Sequence, residues 1–287
     1  MGYDAQYDTA EQNHHRTAIV YDFDGTLARG NVQEHGFFPD LAIDAPDFWQ
    51  GVDEFAQTRD CERTLMYLWG MLQEAKRRNC PITRASLARH GAKVPLFPGV
   101  DDWFGRMNGY ARDRNLNLEH YVISSGNHEI IEGCAIYHQF RQVFASKYLY
   151  DAAGEAVWPG VAINYTTKTQ YLFRINKGIL NNWDDHRVNR WLPMEERPLP
   201  FTRMIFIGDG DTDIPSMKMV RYQGGFSIAV FDPDRREDEK SQENVYRLIS
   251  EDRVNFVAPA DYRAGSQLEI IVKGIIGRFA RDIGYRE

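Results

Sequence analysis

The sequence has little cysteine: three of its 287 residues are cysteines, Cys61, Cys80 and Cys134. Their number is odd, they are widely spaced, and no pair has the Cys-x-x-Cys spacing that is typical of zinc and redox sites. Small secreted folds that depend on disulfides carry many more cysteines for their length. The three thiols therefore favour a reducing compartment, in which they act as small buried hydrophobic residues, over a metal site or a disulfide framework.

Long apolar runs and a basic excess are also missing. No apolar run approaches the ~20 residues that a membrane-spanning helix requires, so we expect no membrane association. The 34 Lys and Arg residues are outnumbered by 41 Asp and Glu residues, which gives a formal net charge of −7. Nucleic-acid-binding proteins usually carry a basic excess, so we expect no nucleic-acid partner. The polar residues 1–16 lack the apolar centre of a signal peptide, which predicts a cytoplasmic protein.

What the sequence does contain is a series of short apolar runs, each ending in a polar loop. Such runs predict buried strands, and helical patterns between them predict parallel pairing. The runs cover residues 17–21, 121–123, 204–207, 226–231 and 254–257. We therefore predict an α/β fold with a Rossmann-like, doubly wound parallel sheet. Ligands of such sheets bind beyond the carboxyl ends of the strands.

Residues 31–96 interrupt this alternation. They contain no convincing parallel strand, but an amphipathic stretch over residues 61–75 indicates a helix. We predict a catalytic core made of residues 1–30 and 97–287, with an inserted helical cap at residues 31–96. Two strand-like runs within residues 147–164 predict a hairpin. The polar residues 182–200, with Trp183 and Trp191, predict an ordered surface loop.

Two acidic motifs stand directly after predicted strands. Asp22 and Asp24 follow the first strand in the segment Asp22-Phe23-Asp24-Gly25-Thr26, and Asp209 and Asp213 follow another in the segment 208–213. Mg²⁺ prefers a few hard carboxylate oxygens together with water and phosphate oxygens, and a pair of such loops can supply them. The motifs therefore predict a magnesium site at one edge of the sheet.

These motifs, together with an apolar strand that ends in Ser124 and a lysine further along the chain, resemble those of the haloacid dehalogenase-like superfamily. With its helical insertion between the first two motifs, the chain is similar to the phosphoserine-phosphatase-like branch. The resemblance extends from about Thr17 to Pro233.

The resemblance implies a role for each motif residue. Asp22 is the nucleophile that forms an aspartyl-phosphate, and Asp24 is the general acid and then the general base. Mg²⁺ is expected to be held by Asp22, Asp209 and the Asp24 carbonyl. Asp213 is expected to bind the ion or to orient its ligands. Asp211 is expected to point outward or to support the site indirectly. These roles agree with the chemistry, because a carboxylate nucleophile with an adjacent acid-base group divides one difficult displacement into two easier ones.

The remaining positions concern phosphate binding. Ser124, which directly ends the apolar run, is the expected hydroxyl donor, with Ser125 as the competing candidate. The N–H groups of Ser125 and Gly126, at a helix start, are expected to assist. Lys177 fits the usual placement of the lysine before the last motif, and Lys168 is the second candidate.

The resemblance also implies the reaction: magnesium-dependent hydrolysis of a small phosphate ester. Dehalogenases of the superfamily lack the second aspartate, so Asp24 argues against that activity. A phosphomutase of the same superfamily also fits the motifs, and a catalytically silent binding module is disfavoured by the intact aspartates. Asn31 stands where the phosphoserine enzymes have an acidic residue, with Glu34 close by, which argues against phosphoserine as substrate. Both residues are expected to face the substrate from the cap.

Overall fold

The computed structural model describes residues 15–210, 212–235 and 239–285. Asp211 and nearly all of the polar N-terminal segment lie outside the described residues. The strands are β1 Arg16–Tyr21, β2 Asn117–Asn127, β3 Gln142–Tyr150, β4 Ala156–Val161, β5 Met204–Gly208, β6 Phe226–Phe231 and β7 Phe256–Pro259. They form one seven-stranded sheet in the order β4-β3-β2-β1-β5-β6-β7. All neighbours are parallel except β3 and β4, which pair antiparallel.

Helices connect the strands. In chain order they are α1 Phe37–Asp40, α2 Ala45–Arg59, α3 Arg63–Arg77, α4 Arg84–Gly91, α5 Val100–Arg112, α6 His128–Glu132, α7 Lys168–Lys177, α8 Asp185–Asn189, α9 Ile214–Tyr222, α10 Glu239–Ser250 and α11 Gln267–Asp282. Among the residues that the structure describes, no helix has the length and apolar character needed to cross a membrane.

The central strand β1 is buried along its whole length, because both faces of the sheet are covered. Side chains alternate between the two faces of a strand. Accordingly, Ile19 belongs to an apolar cluster that includes Phe104 of α5 and Phe279 of α11. Val20 belongs to a second cluster, with Leu172 of α7. Helices on both faces of a mostly parallel sheet confirm the predicted Rossmann-like α/β fold.

The prediction from sequence was incomplete along β2 and β3. Strand β2 continues past Ser124 to Asn127, and the first half of β3 pairs parallel with it. That part of β3 contains only three consecutive apolar residues, 143–145, too few to distinguish a strand by pattern. The predicted hairpin is formed by β3 and β4.

The insertion between β1 and β2 is helical. Residues 31–96 contain helices α1 to α4 and no strand of the sheet. Their apolar side chains, such as Phe38 and Leu68, continue into the cluster that covers one face of the sheet. The division into a core and a cap domain stays a prediction.

Candidate active site

Three loops meet at one edge of the sheet because β2, β1 and β5 are adjacent and parallel. Asp22 follows β1, Ser124 lies near the end of β2, and Asp209 follows β5. All three line a single cavity of about 750 Å³, which the inserted segment covers with residues such as Trp49 and Tyr67. The strand order thus places the predicted polar motifs at the carboxyl-end position that ligands of parallel sheets occupy.

A cluster of three carboxylates lies at this cavity: Asp22 and Asp209 line it, and Asp213 is close to both. One carboxylate oxygen each of Asp22, Asp209 and Asp213 lies within 4.8 Å of the others. Asp22 and Asp213 are buried, and Asp213 Oδ2 has no hydrogen-bond partner among the described residues. Burying carboxylates together is unfavourable unless a positive charge accompanies them. The three side chains therefore fit a metal cation with hard oxygen ligands.

Two glycines leave the space that this cluster needs. A Cβ atom on Gly25 would lie 2.4 Å from Asp209 Oδ2, and one on Gly208 would lie 2.2 Å from Asp213 Oδ2. Gly25 also has φ of +72°, a conformation that glycine adopts without a steric penalty. Glycine at both positions lets a carboxylate approach the backbone: Asp209 approaches the loop after β1, and Asp213 approaches the end of β5, which precedes it in the chain.

Among the described residues, Lys168 brings a positive charge into the carboxylate cluster. Its ammonium lies 3.0 Å from Asp22 Oδ1 and 2.7 Å from Asp213 Oδ1, and its side chain is fully buried. Burial opposes the charged form, but the charges and hydrogen bonds of Asp213 and Asp22 outweigh it and raise the pKa of Lys168 above the ordinary value. Lys168 therefore stays protonated beside the expected nucleophile.

The expectation that Lys177 provides this charge needs correction. Lys168 and Lys177 are the first and last residues of α7, which separates their backbones by roughly 13 Å at 1.5 Å per residue. Lys177 Nζ donates instead to the carbonyl oxygens of Val188 and Arg190, at 2.5 and 2.8 Å. Gly178, which follows Lys177, is the left-handed C-terminal cap of the helix, with φ of +68°.

Burial and like charge shift the two aspartates of the first motif toward the protonated form. Burial, followed by the charge of Asp213, raises the pKa of Asp22 to about 7, although Lys168 acts in the opposite direction. Burial and the charge of Asp22 raise the pKa of Asp24 well above its ordinary value. Asp24 Oδ1 accepts a hydrogen bond from Val32 N at 3.1 Å. A carboxyl group whose pKa is raised holds its proton more readily, which suits a general acid.

The Ser124 segment has a different local structure from the one expected. Ser124 is buried and lines the cavity, as do Ser125 and Gly126. The backbone N–H of Gly126 donates to Ser124 Oγ at 2.9 Å, so Gly126 orients the serine hydroxyl. The expectation of a helix start at Ser125 and Gly126 is wrong, because β2 extends to Asn127 and α6 begins at His128.

Asn31 and Glu34 both line the cavity, from the inserted segment. Glu34 Oε1 accepts hydrogen bonds from Asn31 Nδ2 and Trp49 Nε1, each at 2.6 Å. Sequence reasoning missed Trp49 and Tyr67, because an aromatic residue in an amphipathic helix has the pattern of an ordinary core residue. Nothing in their local sequence shows that their polar atoms donate to Glu34 and to the Ser125 carbonyl.

The chain is similar to known proteins over most of its length. Residues 19–218 match the haloacid dehalogenase-like hydrolase family. An uncharacterized protein of Borreliella burgdorferi is 24% identical over 278 residues, which cover 88% of this chain and 93% of that protein.

Two solved structures have similar folds. A substrate-bound phosphoserine phosphatase complex has a TM-score of 0.54 at 12% identity, covering 90% of this chain and 98% of that chain. The HAD family hydrolase t0658 of Salmonella enterica serovar Typhi has a TM-score of 0.50 at 16% identity, covering 77% of this chain. The present chain spans 64% of that protein's chain. At these identities, the likeness concerns the fold.

Proposed function

The chain belongs to the haloacid dehalogenase-like hydrolase family, and from this we propose that it is a magnesium-dependent phosphatase acting on a small phosphorylated metabolite. The observation that carries the proposal is the pairing of Asp22 with Lys168 inside the carboxylate cluster, with Asp24 lining the same cavity. This arrangement supports a nucleophile, a fixed positive charge and an acid-base group around one phosphoryl position.

In the first half of the proposed reaction, an Asp22 carboxylate oxygen attacks phosphorus and the bond to the ester oxygen breaks. The departing oxygen takes the proton of Asp24, which leaves an alcohol, an aspartyl-phosphate and an ionised Asp24. In the second half, Asp24 removes a proton from water as the water oxygen attacks phosphorus. The bond to Asp22 breaks, inorganic phosphate leaves, and both aspartates return to their starting forms.

The surrounding groups neutralise the charge of the phosphoryl oxygens. Lys168 shares its charge between Asp22 and the phosphoryl group, and the Ser124 hydroxyl donates to a phosphoryl oxygen. Mg²⁺ held by Asp22, Asp209, Asp213 and the Asp24 carbonyl would supply Lewis-acid stabilisation of the phosphoryl oxygens. Asp213 Oδ2, which lacks a partner among the described residues, supports a cation at this position.

Asp24 favours hydrolysis of phosphate esters over dehalogenation, because displacement of a halide requires no proton for the leaving group. Asn31, at the position of the acidic residue of the phosphoserine enzymes, argues against phosphoserine. We therefore expect another small ester, whose leaving group faces Asn31 and Glu34.

A phosphate-release screen tests the proposal. The purified chain is incubated with phosphorylated metabolites, with p-nitrophenyl phosphate, and with 2-haloacids, each in Mg²⁺ or in excess chelator. We expect phosphate release that requires Mg²⁺, is lost with chelator and is opposed by Ca²⁺, because Ca²⁺ accepts more ligands in looser geometry. Halide release without phosphate release, or full phosphatase activity in chelator, would contradict the proposal.

A further inference from the structure

Strand β2 is irregular directly beside Ser124. It pairs with β3 through Ser124 and Ala145, and the pairing resumes through Asn127 and Ser146. Ser125 and Gly126 are therefore left outside the ladder, as in a β-bulge, a feature that often redirects side chains next to functional sites. A peptide group that leaves the ladder in a largely buried region needs other hydrogen-bond partners.

The peptide group between Ser125 and Gly126 has a partner at each end. Its N–H donates to Ser124 Oγ at 2.9 Å. Its carbonyl oxygen accepts a hydrogen bond from the hydroxyl of Tyr67, which lies in helix α3 of the inserted segment. Because a peptide group is planar, a partner that fixes the carbonyl oxygen also fixes the direction of the N–H.

Tyr67 is held firmly in place. Its side chain is 4% exposed, and its ring packs against Trp49 in an edge-on arrangement with centroids 5.6 Å apart. Burial, together with the charge of Asp24, raises the pKa of Tyr67 well above its ordinary value, so the hydroxyl keeps its proton. The protonated Tyr67 hydroxyl is thus able to donate to the carbonyl oxygen of Ser125.

We propose that Tyr67 is a positioning residue for Ser124. By holding the Ser125–Gly126 peptide, Tyr67 keeps the Gly126 N–H on a lone pair of Ser124 Oγ, which leaves the serine proton available for a phosphoryl oxygen. The inference rests on the proposed function, in which Ser124 binds the phosphoryl group. It gives the inserted segment a role in phosphate binding, in addition to its expected contact with the leaving group.

The chain contains a matched control for this role. The hydroxyl of Tyr148, in β3, donates to the carbonyl oxygen of Leu68 in α3 at 2.8 Å. Tyr148 is also buried, and its hydrogen bond also joins the same helix to the sheet, but it does not reach the Ser125–Gly126 peptide. Tyr148→Phe therefore removes a comparable link between helix and sheet without releasing that peptide.

The experiment compares the wild-type chain with Tyr67→Phe, Tyr148→Phe, Ser124→Ala and the double variant Tyr67→Phe/Ser124→Ala. The dissociation constant of orthophosphate is measured by calorimetry in Mg²⁺, and kcat and KM are measured with p-nitrophenyl phosphate. Melting temperatures show whether each variant folds. We expect Tyr67→Phe to weaken orthophosphate binding about tenfold, because a released buried carbonyl lets the peptide turn. Tyr148→Phe should change binding by less than about twofold.

The double variant decides how Tyr67 acts. If it acts through Ser124, Tyr67→Phe has almost no further effect on orthophosphate binding once Ser124 is alanine. Three results would overturn the inference. Tyr67→Phe and Tyr148→Phe could lose equal affinity for orthophosphate, or Tyr67→Phe could cause its full loss of affinity even when Ser124 is alanine. The third result is a wild-type chain that does not bind orthophosphate. If orthophosphate binding depends on Tyr67 and Ser124 as expected but the wild-type chain hydrolyses no ester, the inference stands and the proposed function is refuted.

Discussion

Lys168 and Asp22 form a buried ion pair, with Nζ 3.0 Å from Oδ1 and side-chain exposures of 0% and 5%. The lysine begins α7 and the aspartate follows β1, so the pair joins a surface-layer helix to the centre of the sheet. Removing both charges from water costs desolvation energy, so a buried ion pair is weak evidence for a stabilising role. The proposed function explains the pair better, because it assigns Lys168 to hold positive charge beside the proposed nucleophile Asp22.

The first prediction compares the two ends of α7. Lys168→Gln should lower kcat/KM by about 10²- to 10³-fold, the usual cost of removing one charge-stabilising group from a phosphoryl or acyl site. Lys177→Gln should leave kcat/KM unchanged, because that ammonium lies on the carbonyls of Val188 and Arg190. Steady-state kinetics and melting curves of both variants check this. A larger loss in Lys177→Gln than in Lys168→Gln would refute the assignment.

The second prediction separates the nucleophile from the acid-base group. With p-nitrophenyl phosphate, whose leaving group departs without a proton, Asp24→Asn should still form the aspartyl-phosphate. Rapid mixing should then show a burst of about one p-nitrophenolate per enzyme, followed by turnover slowed about 10²- to 10⁴-fold. Asp22→Asn should show neither burst nor turnover. A burst in Asp22→Asn would exclude Asp22 as the nucleophile.

The third prediction concerns the space beside Asp213. Gly208→Ala places a Cβ atom 2.2 Å from the present position of Asp213 Oδ2, so the carboxylate must move. We expect at least a tenfold loss of kcat/KM and a smaller rise in melting temperature on adding Mg²⁺, because a displaced ligand binds the ion less tightly. Gly105→Ala is the control: its Cβ meets no atom within 4 Å and lies in helix α5. That variant should keep full activity and gain up to about 1 kcal/mol of stability.

The fourth prediction concerns acid stability. Burial lowers the pKa of His120 to about 3, and the neutral ring is held by Tyr21 and Asn108 at 3.0 Å each. Between about pH 6.5 and pH 3 the unfolded chain binds a proton at this residue that the folded chain does not. Its contribution to stability is therefore complete above pH 6.5 and decreases as the pH falls, by about 1.4 kcal/mol per unit.

Urea unfolding at pH 7.5 and pH 5.5 measures this contribution. The loss of unfolding free energy between these values should be smaller in His120→Gln than in the wild-type chain by about 1.4 kcal/mol. An unchanged pH dependence in His120→Gln would show that the ring is protonated in the folded chain.

Most of the sheet could be predicted, because its strands other than β3 and β4 contain short apolar runs that end in polar loops, and central strands such as β1 and β5 are buried. The meeting of Asp22 with Asp209 follows from the same pattern, since parallel strands end at the same edge. The same pattern could not show which lysine lies beside Asp22. Lys168 and Lys177 lie on one helix, and only the packing of α7 on the sheet decides which end reaches Asp22.

The local structure of the Ser124 segment could not be predicted from the sequence either. A helix start and a β-bulge both place glycine and polar residues after an apolar run, so the sequence Ser124-Ser125-Gly126 fits either. The pairing with β3 decides between them, and β3 itself carries a weak strand pattern. The hydrogen bond from Tyr67 depends in turn on how α3 packs, which no local pattern encodes.

The strand order also bears on the rate of folding. Arg16 of β1 pairs with Asn117 of β2, and Ala18 with Met204 of β5, so both neighbours of the central strand come from far along the chain. Closing such long loops costs entropy before the contacts compensate for it, which makes parallel sheets slow to form. We expect Asp22, Ser124 and Asp209 to converge late in folding. Nascent or truncated chains that end before β5 would lack Asp209 and Asp213, and Asp22 would be the one carboxylate of the three-member cluster that remains.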